Sequence, residues 1–153
     1  MHHYKWRSAF RAVHLVVKAD AIAVEVHAAP VRLVHHMSGR RAVHERTGKV
    51  LAEDLEMATS IIARVVGLMF RRTLEPGRGM WIAPCNGIHM MFMRFPIDAV
   101  FLDTRERVKK VYRKLPAWWG VVWLVWGAHS VLELPPGSTT DIDLRRGDQL
   151  IIS

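Results

Sequence analysis

From about His44 the chain breaks into short apolar runs cut by turn residues. KVLAEDLEMA alternates, setting Leu51, Leu55 and Met57 against Ala52, Asp54 and Glu56, the period of two that marks a strand. Thr59 and Ser60 can cap a short helix over IIARVVGLMF, where Ile62, Val65, Val66 and Met69 make an apolar stripe. That helix runs out near Arg71, before the loop EPGRG. GMWIA, IHMMFMRF and DAVFL follow as strands. In RVKKVYRKL the alternation is poorer, because Val108 and Val111 do not share a strand face. HSVLELPPG is a strand ending in a turn, TTDIDL a single helical turn, and RRGDQLIIS a turn and an edge strand. Six or so short strands with one or two short helices predict a mainly β fold, a compact barrel or sandwich.

The first 36 residues have a different texture. They show no sustained period apart from a weak alternation in VVKADAIAVEVHA, and they hold six of the nine histidines. Charge follows the same division: residues 1–44 contribute +5 of the net +8. Residues 1–36 therefore read as a basic extension outside the fold, with Met37 a candidate start, and residues 37–153 as one β-rich domain of ordinary size. A single cysteine excludes an internal disulfide framework and fits a reducing, cytoplasmic setting. The most apolar run, Ala117 to Ala128, covers 12 residues, too short for a spanning helix.

Chemistry concentrates in PCNGIHMMFMRFPIDAVFLD. Cys85, His89 and Met93 are soft ligands at intervals of four, a spacing compatible with copper. On an extended strand His89, Met91 and Met93 would share one face, with Cys85 across a bend at Asn86-Gly87. A copper site also needs a second histidine, for which His44 is the candidate upstream. A catalytic thiol would instead require His89 to activate Cys85, with Asp98 or Glu133 orienting the imidazole. Cys85 can equally be a small core residue. Asp98 lies in an apolar run, so it either stands at an exposed strand start or pairs with a cation such as Arg64 or Arg94. Trp118, Trp119, Trp123 and Trp126 suit stacking, a partner surface or the core alike.

The stretch ARVVGLMFRRTLEPGRGMWIAPCNGIHMMFMRFPIDAVFLD, with HSVLELPPG and the closing RRGDQLII, resembles domain of unknown function family 192 over about residues 49–152. The matching positions are Arg64, Gly67, Leu68, Arg71 and Arg72, then Gly77 and Gly79, His89, Met93 and Asp98. Leu132 to Pro135, Gly137, Gly147 and Asp148 complete them. The resemblance implies a compact β-barrel or jelly-roll-like sandwich and no particular activity. Two places depart from the family pattern. The turn TRER lacks the glycine usual after Phe-Leu-Asp, and VVWLVWG replaces a more polar loop, offering a surface for self-association.

Together these readings predict one polar pocket lined by Arg64, Asn86, His89, Met93, Asp98 and Glu133. It would serve a small-molecule or peptide binding module, with Arg64 and His89 facing an anion and Asp98 orienting one of them. The alternatives are a hydrolase-like enzyme using His89 with Asp98 or Cys85, and a copper site at Cys85, His89 and Met93. His89 and Asp98 can also form a purely structural pair. Nucleic acid would have to be met by Arg71, Arg72, Arg105, Lys109 and Lys110, and the modest charge of the domain argues against it.

Overall fold

The computed structural model describes residues 39–153; the extension and the alternating stretch within it lie outside the described residues. A five-stranded sheet forms the middle of the domain. Its strands are β3 (Asp54–Ala58), β4 (Arg78–Ile82), β6 (Ile97–Leu102), β7 (Val108–Leu115) and β9 (Ser130–Leu134), in the order β3-β4-β9-β6-β7. The β3–β4 pair is parallel and its connection carries the helix α1 (Ile61–Val66); the other neighbours are antiparallel. A three-stranded sheet orders β10 (Leu150–Ile152), β1 (Ala42–His44) and β2 (Val50–Ala52) as β10-β1-β2. The short strands β5 (Ile88–His89) and β8 (Val121–Val122) pair with each other. The sheets do not close into a barrel, so of the two expected architectures the sandwich-like one describes this domain.

Strand parity builds the two halves of the core. On β6 and β9, Val100, Leu102, Leu132 and Leu134 point to a cluster with Ala42, Leu51, Ala52 and Leu150, which joins the middle sheet to the three-stranded one. Ile97, Ala99, Phe101 and Val131 point the other way, toward Leu68, Met90, Met93 and Val122. This second half is roofed by α1, the β5–β8 pair and the loops between them. No helix among the described residues is long and apolar enough to cross a membrane.

Several local expectations need correction. KVLAEDLEMA is two strands in different sheets, broken at Glu53 where the amides of Glu53 and Asp54 both donate to the Gly77 carbonyl. The helix is capped by Ser60, whose side chain accepts from the Ala63 amide, but Gly67 (φ 47°) ends it before Met69. Of its expected apolar stripe, Ile62, Val65 and Val66 are exposed and Met69 falls beyond the helix, while Ala63 is the residue that packs inward. IHMMFMRF is extended only at Ile88–His89. Met93 N–H then bonds back to Met90 O and Phe92 takes φ 62°, so a turn buries Met90 and Met93 while Met91 and Phe92 face out. TTDIDL is a run of turns rather than a helix.

RVKKVYRKL, the weakest strand pattern, is the longest strand. Register shifts along its pairing with β6 explain why Val108 and Val111 are out of phase. In the glycine-free turn Glu106 itself takes φ 59°, and the Asp103 carboxylate accepts from the amides of Arg105 and Arg107 at 2.8 and 3.1 Å.

Candidate functional site

Glu133 is the ionisable group that strand parity drives into an apolar layer. Its cross-strand partners are Met80 and Ala99, and it shares the face of Val131 with only 6% of its surface exposed. Among the described residues no hydrogen bond or ion pair reaches its carboxylate, and Arg71 acts on it only through its field. Burial pushes its pKa up to about 7, and the Arg71 charge opposes only part of that rise.

The nearest cations are positioned by other contacts. Arg71 makes a two-pronged ion pair with Glu56, both N–O distances being 2.7 Å, and this raises its pKa. Arg78 joins the same group through Asp54 at 3.2 Å and Glu56 at 3.4 Å, consistent with the parallel register that sets Asp54 opposite Arg78. Arg71 is thus engaged and not a free phosphate ligand. Arg64 projects from α1 and donates from Nη1 to the Pro84 carbonyl at 3.2 Å. Its Nε is buried with no hydrogen-bond partner among the described residues.

A cavity of about 80 Å³ lies at this place, lined by Arg64, Cys85, His89, Met93 and Glu133 over apolar walls such as Leu68 and Ile82. A second hollow of about 270 Å³ shares Arg64, Cys85 and His89 and adds Ile61 and Pro84, with Val65 common to both. The small space suits a polar group or a few waters, the larger one an apolar body. Four of the six expected pocket residues, Arg64, His89, Met93 and Glu133, therefore meet. Asn86 is exposed and outside the lining, and its carbonyl accepts from the Val125 amide.

Asp98 is the larger departure. It sits on β6 with the parity of Val100 and Leu102, on the opposite face of the sheet from Glu133, and it is fully buried. Among the described residues it pairs with no cation: the Lys114 amide donates to Oδ1 at 2.9 Å, and the Thr139 amide and hydroxyl donate to Oδ2 at 3.0 and 2.7 Å. Burial alone would raise its pKa, but these bonds and one from the Gly137 amide hold it below the ordinary value. Both expectations for it, an exposed strand start or a cation partner, give way to a backbone clamp. It neither orients His89 nor pairs with it.

Cys85 shares the cavity with His89 but not as an activated nucleophile. Its Sγ donates to the Gly87 carbonyl at 3.1 Å, and burial pushes the thiol pKa up. The copper set also lacks its second histidine. His44 is buried in the three-stranded sheet, Nδ1 2.8 Å from Thr47 Oγ1 and Nε2 3.3 Å from Asp148. No group of three His, Cys, Asp or Glu side chains able to hold a metal occurs among the described residues.

The fold and site define a small β-sandwich domain with a buried acid facing an end cavity. The chain belongs to the family DUF192, described as uncharacterized ACR, whose pattern matches residues 42–152. It is 30% identical over 111 residues to the UPF0127 protein of Thermococcus gammatolerans, covering 69% of this chain and 71% of that one. Two crystal structures share the fold. One is a protein of unknown function from Novosphingobium aromaticivorans, with TM-score 0.64 and 20% identity over 73% of this chain and 82% of that one. The other is a candidate transcription regulator from Sinorhizobium meliloti, with TM-score 0.62 and 21% identity over 74% and 91%. At those identities the likeness speaks for fold alone.

Sequence reasoning missed the part that Ile61 and Val65 play in the larger hollow, because an apolar helix stripe reads as core. It also missed that Glu56 claims Arg71. The alternation of KVLAEDLEMA, taken with the basic pair Arg71-Arg72, was the available signal.

Proposed function

We propose that residues 37–153 form a cytoplasmic binding module for a small molecule or peptide with a polar tip and an apolar body. The tip enters the cavity between Arg64, His89 and Glu133, and the body lies along Ile61 and Val65. One observation carries this reading: Glu133, whose carboxylate has no hydrogen bond, and Arg64, whose guanidinium Nε is buried without one, line the same small space. Such groups are costly to leave unmet, and a ligand able to accept from Arg64 and share a proton with Glu133 meets both. A hydrolase-like role has less support, since Asp98 and the Cys85 thiol are both engaged elsewhere.

Native mass spectrometry of the full chain, purified gently from cytosol, tests the proposal beside His89→Ala and Glu133→Gln. The expected result is an adduct on the parent that both variants lose while keeping the parent's circular dichroism. A bare parent mass, or an adduct retained by all three proteins, overturns it.

A further inference from the structure

Phe70, Phe92 and Trp118 form a continuous aromatic ladder at the surface. Phe70 stacks on Phe92 with centroids 5.5 Å apart, and Phe92 meets Trp118 edge-on at 5.4 Å. All three rings are exposed, and all three residues have left-handed backbones, with φ of 64°, 62° and 68°. Aromatic residues seldom adopt that region, and three of them linked ring to ring through Phe92 need a cause. The backbone is fixed there by the Phe70 amide donating to Phe92 O and the Trp118 amide donating to Met90 O. Met90 and Met93 are buried beneath. The chain is held in an unfavourable conformation that displays aromatic rings instead of covering them.

The loop beginning at Trp118 continues the display. Residues 115–128 contain no charged side chain. Val122 and Val125 turn into the core, while Trp119, Trp123 and Trp126 are 87, 88 and 85% exposed. The loop is not loose. β8 pairs with β5, and Gly87 and Gly120 permit close backbone approach: a Cβ would lie 2.5 Å from Trp123 O at the first and 2.7 Å from Pro116 O at the second. Cations flank these rings along the chain. Exposed Arg72 and Arg94 follow Phe70 and Phe92 by two residues, Lys114 precedes the uncharged run, and the Lys109 side chain lies against Gly127, next to Trp126.

We propose that this surface docks onto an anionic lipid bilayer, with Trp119, Trp123 and Trp126 entering the interfacial zone and the flanking cations meeting headgroups. Charge and shape together select this occupant. Indole rings are favoured at headgroup depth, where they need no matching hollow, whereas a protein partner would need a fitted pocket for each projecting ring. An uncharged tip edged by Lys and Arg suits a negative surface, and the net charge of +8 draws the molecule toward it. The run is too short to span, so insertion stops at the interface.

The test uses the full chain with vesicles of equal parts phosphatidylcholine and phosphatidylglycerol, and with phosphatidylcholine alone, both carrying acyl-brominated lipid to quench tryptophan. A triple variant, Trp119→Ser with Trp123→Ser and Trp126→Ser, keeps every positive charge and so separates insertion from simple electrostatic adsorption. The parent is expected to show a blue-shifted, quenched emission on anionic vesicles, weakened by added salt. The triple variant should lose roughly tenfold in partitioning and most of the quenching. Absence of quenching in the parent, or equal quenching in the variant, overturns the proposal. So does a parent that ignores vesicles and runs as a dimer by light scattering while the variant runs as a monomer, since a second copy would then be the occupant.

Discussion

Thr139 donates twice to Asp98, from its amide at 3.0 Å and its hydroxyl at 2.7 Å, and so ties the segment between β9 and β10 to the middle of the sheet. With the Lys114 amide on the other oxygen, one buried carboxylate organises three separate pieces of chain. Asp98→Ala strands those donors and should cost about 3–5 kcal/mol of unfolding free energy. Thr139→Val, which removes one bond, should cost about 1–2 kcal/mol. Because the folded pKa is depressed, the Asp98 contribution is full at neutral pH and is lost as pH falls below the ordinary aspartate value through the folded one. Urea titrations at neutral and acid pH measure both. A loss under about 1 kcal/mol for Asp98→Ala would deny the clamp.

The wall of the cavity depends on a glycine. A Cβ at Gly87 would sit 2.5 Å from Trp123 O and 2.8 Å from Val122 O, so Gly87→Ala must part β5 from β8. The expected destabilisation is about 2–3 kcal/mol. Gly79→Ala is the graded comparison, since its Cβ meets only side-chain atoms at 3.1–3.2 Å, and it should cost less. Thermal unfolding of the pair checks the order, and the reverse order would show that the β5–β8 contact yields easily.

The mainly β class and the N-cap at Ser60 were legible because alternation and capping are local signals. β1 and β8 were not, since three and two residues are too few to show a period. IHMMFMRF misled for a related reason. Two of its methionines, Met90 and Met93, are buried at a spacing of three set by a turn, and a short apolar run resembles a strand whatever the backbone does. The site was half legible. Asp98 stood out as an acid in an apolar run and Glu133 as a candidate partner for His89, but only the β6–β9 register, pairing Asp98 with Leu134 and Ala99 with Glu133, puts them on opposite faces. A single strand gives parity and not register, and register depends on partners far along the chain.

Cys85 is expected to behave as a protected thiol. Burial raises its pKa most, with the Glu133 charge adding to the rise, while a backbone hydrogen bond at Gly87 and, more weakly, the Arg64 charge pull the other way. The thiol itself donates to Gly87 O. Iodoacetamide should label it at least roughly tenfold slower than a free cysteine peptide near pH 7.5, with the rate climbing above pH 9. Rapid labelling at neutral pH would mean a stabilised thiolate and would restore the catalytic-thiol reading.

Glu133 makes the sharpest demand on pH. Its pKa is raised from 4.5 to about 7 by burial, so between those values folding takes up a proton that the unfolded chain lacks. Stability must therefore fall as pH rises through that window and then level off, by up to about 3 kcal/mol for a shift of this size. Asp98, Asp103 and Asp143 have depressed pKa values and act in the opposite direction at lower pH, so the parent curve alone will not isolate the effect. The difference between the parent and Glu133→Gln will. Gln cannot ionise and approximates the protonated acid, so the two proteins should agree near pH 4.5 and diverge above it, with the variant the more stable at pH 8. Chemical denaturation across that range, on protein confirmed ligand-free by native mass, gives the difference directly. Parallel curves would place water or a cation on the carboxylate, and the case for an unmet acid at the cavity would go with them.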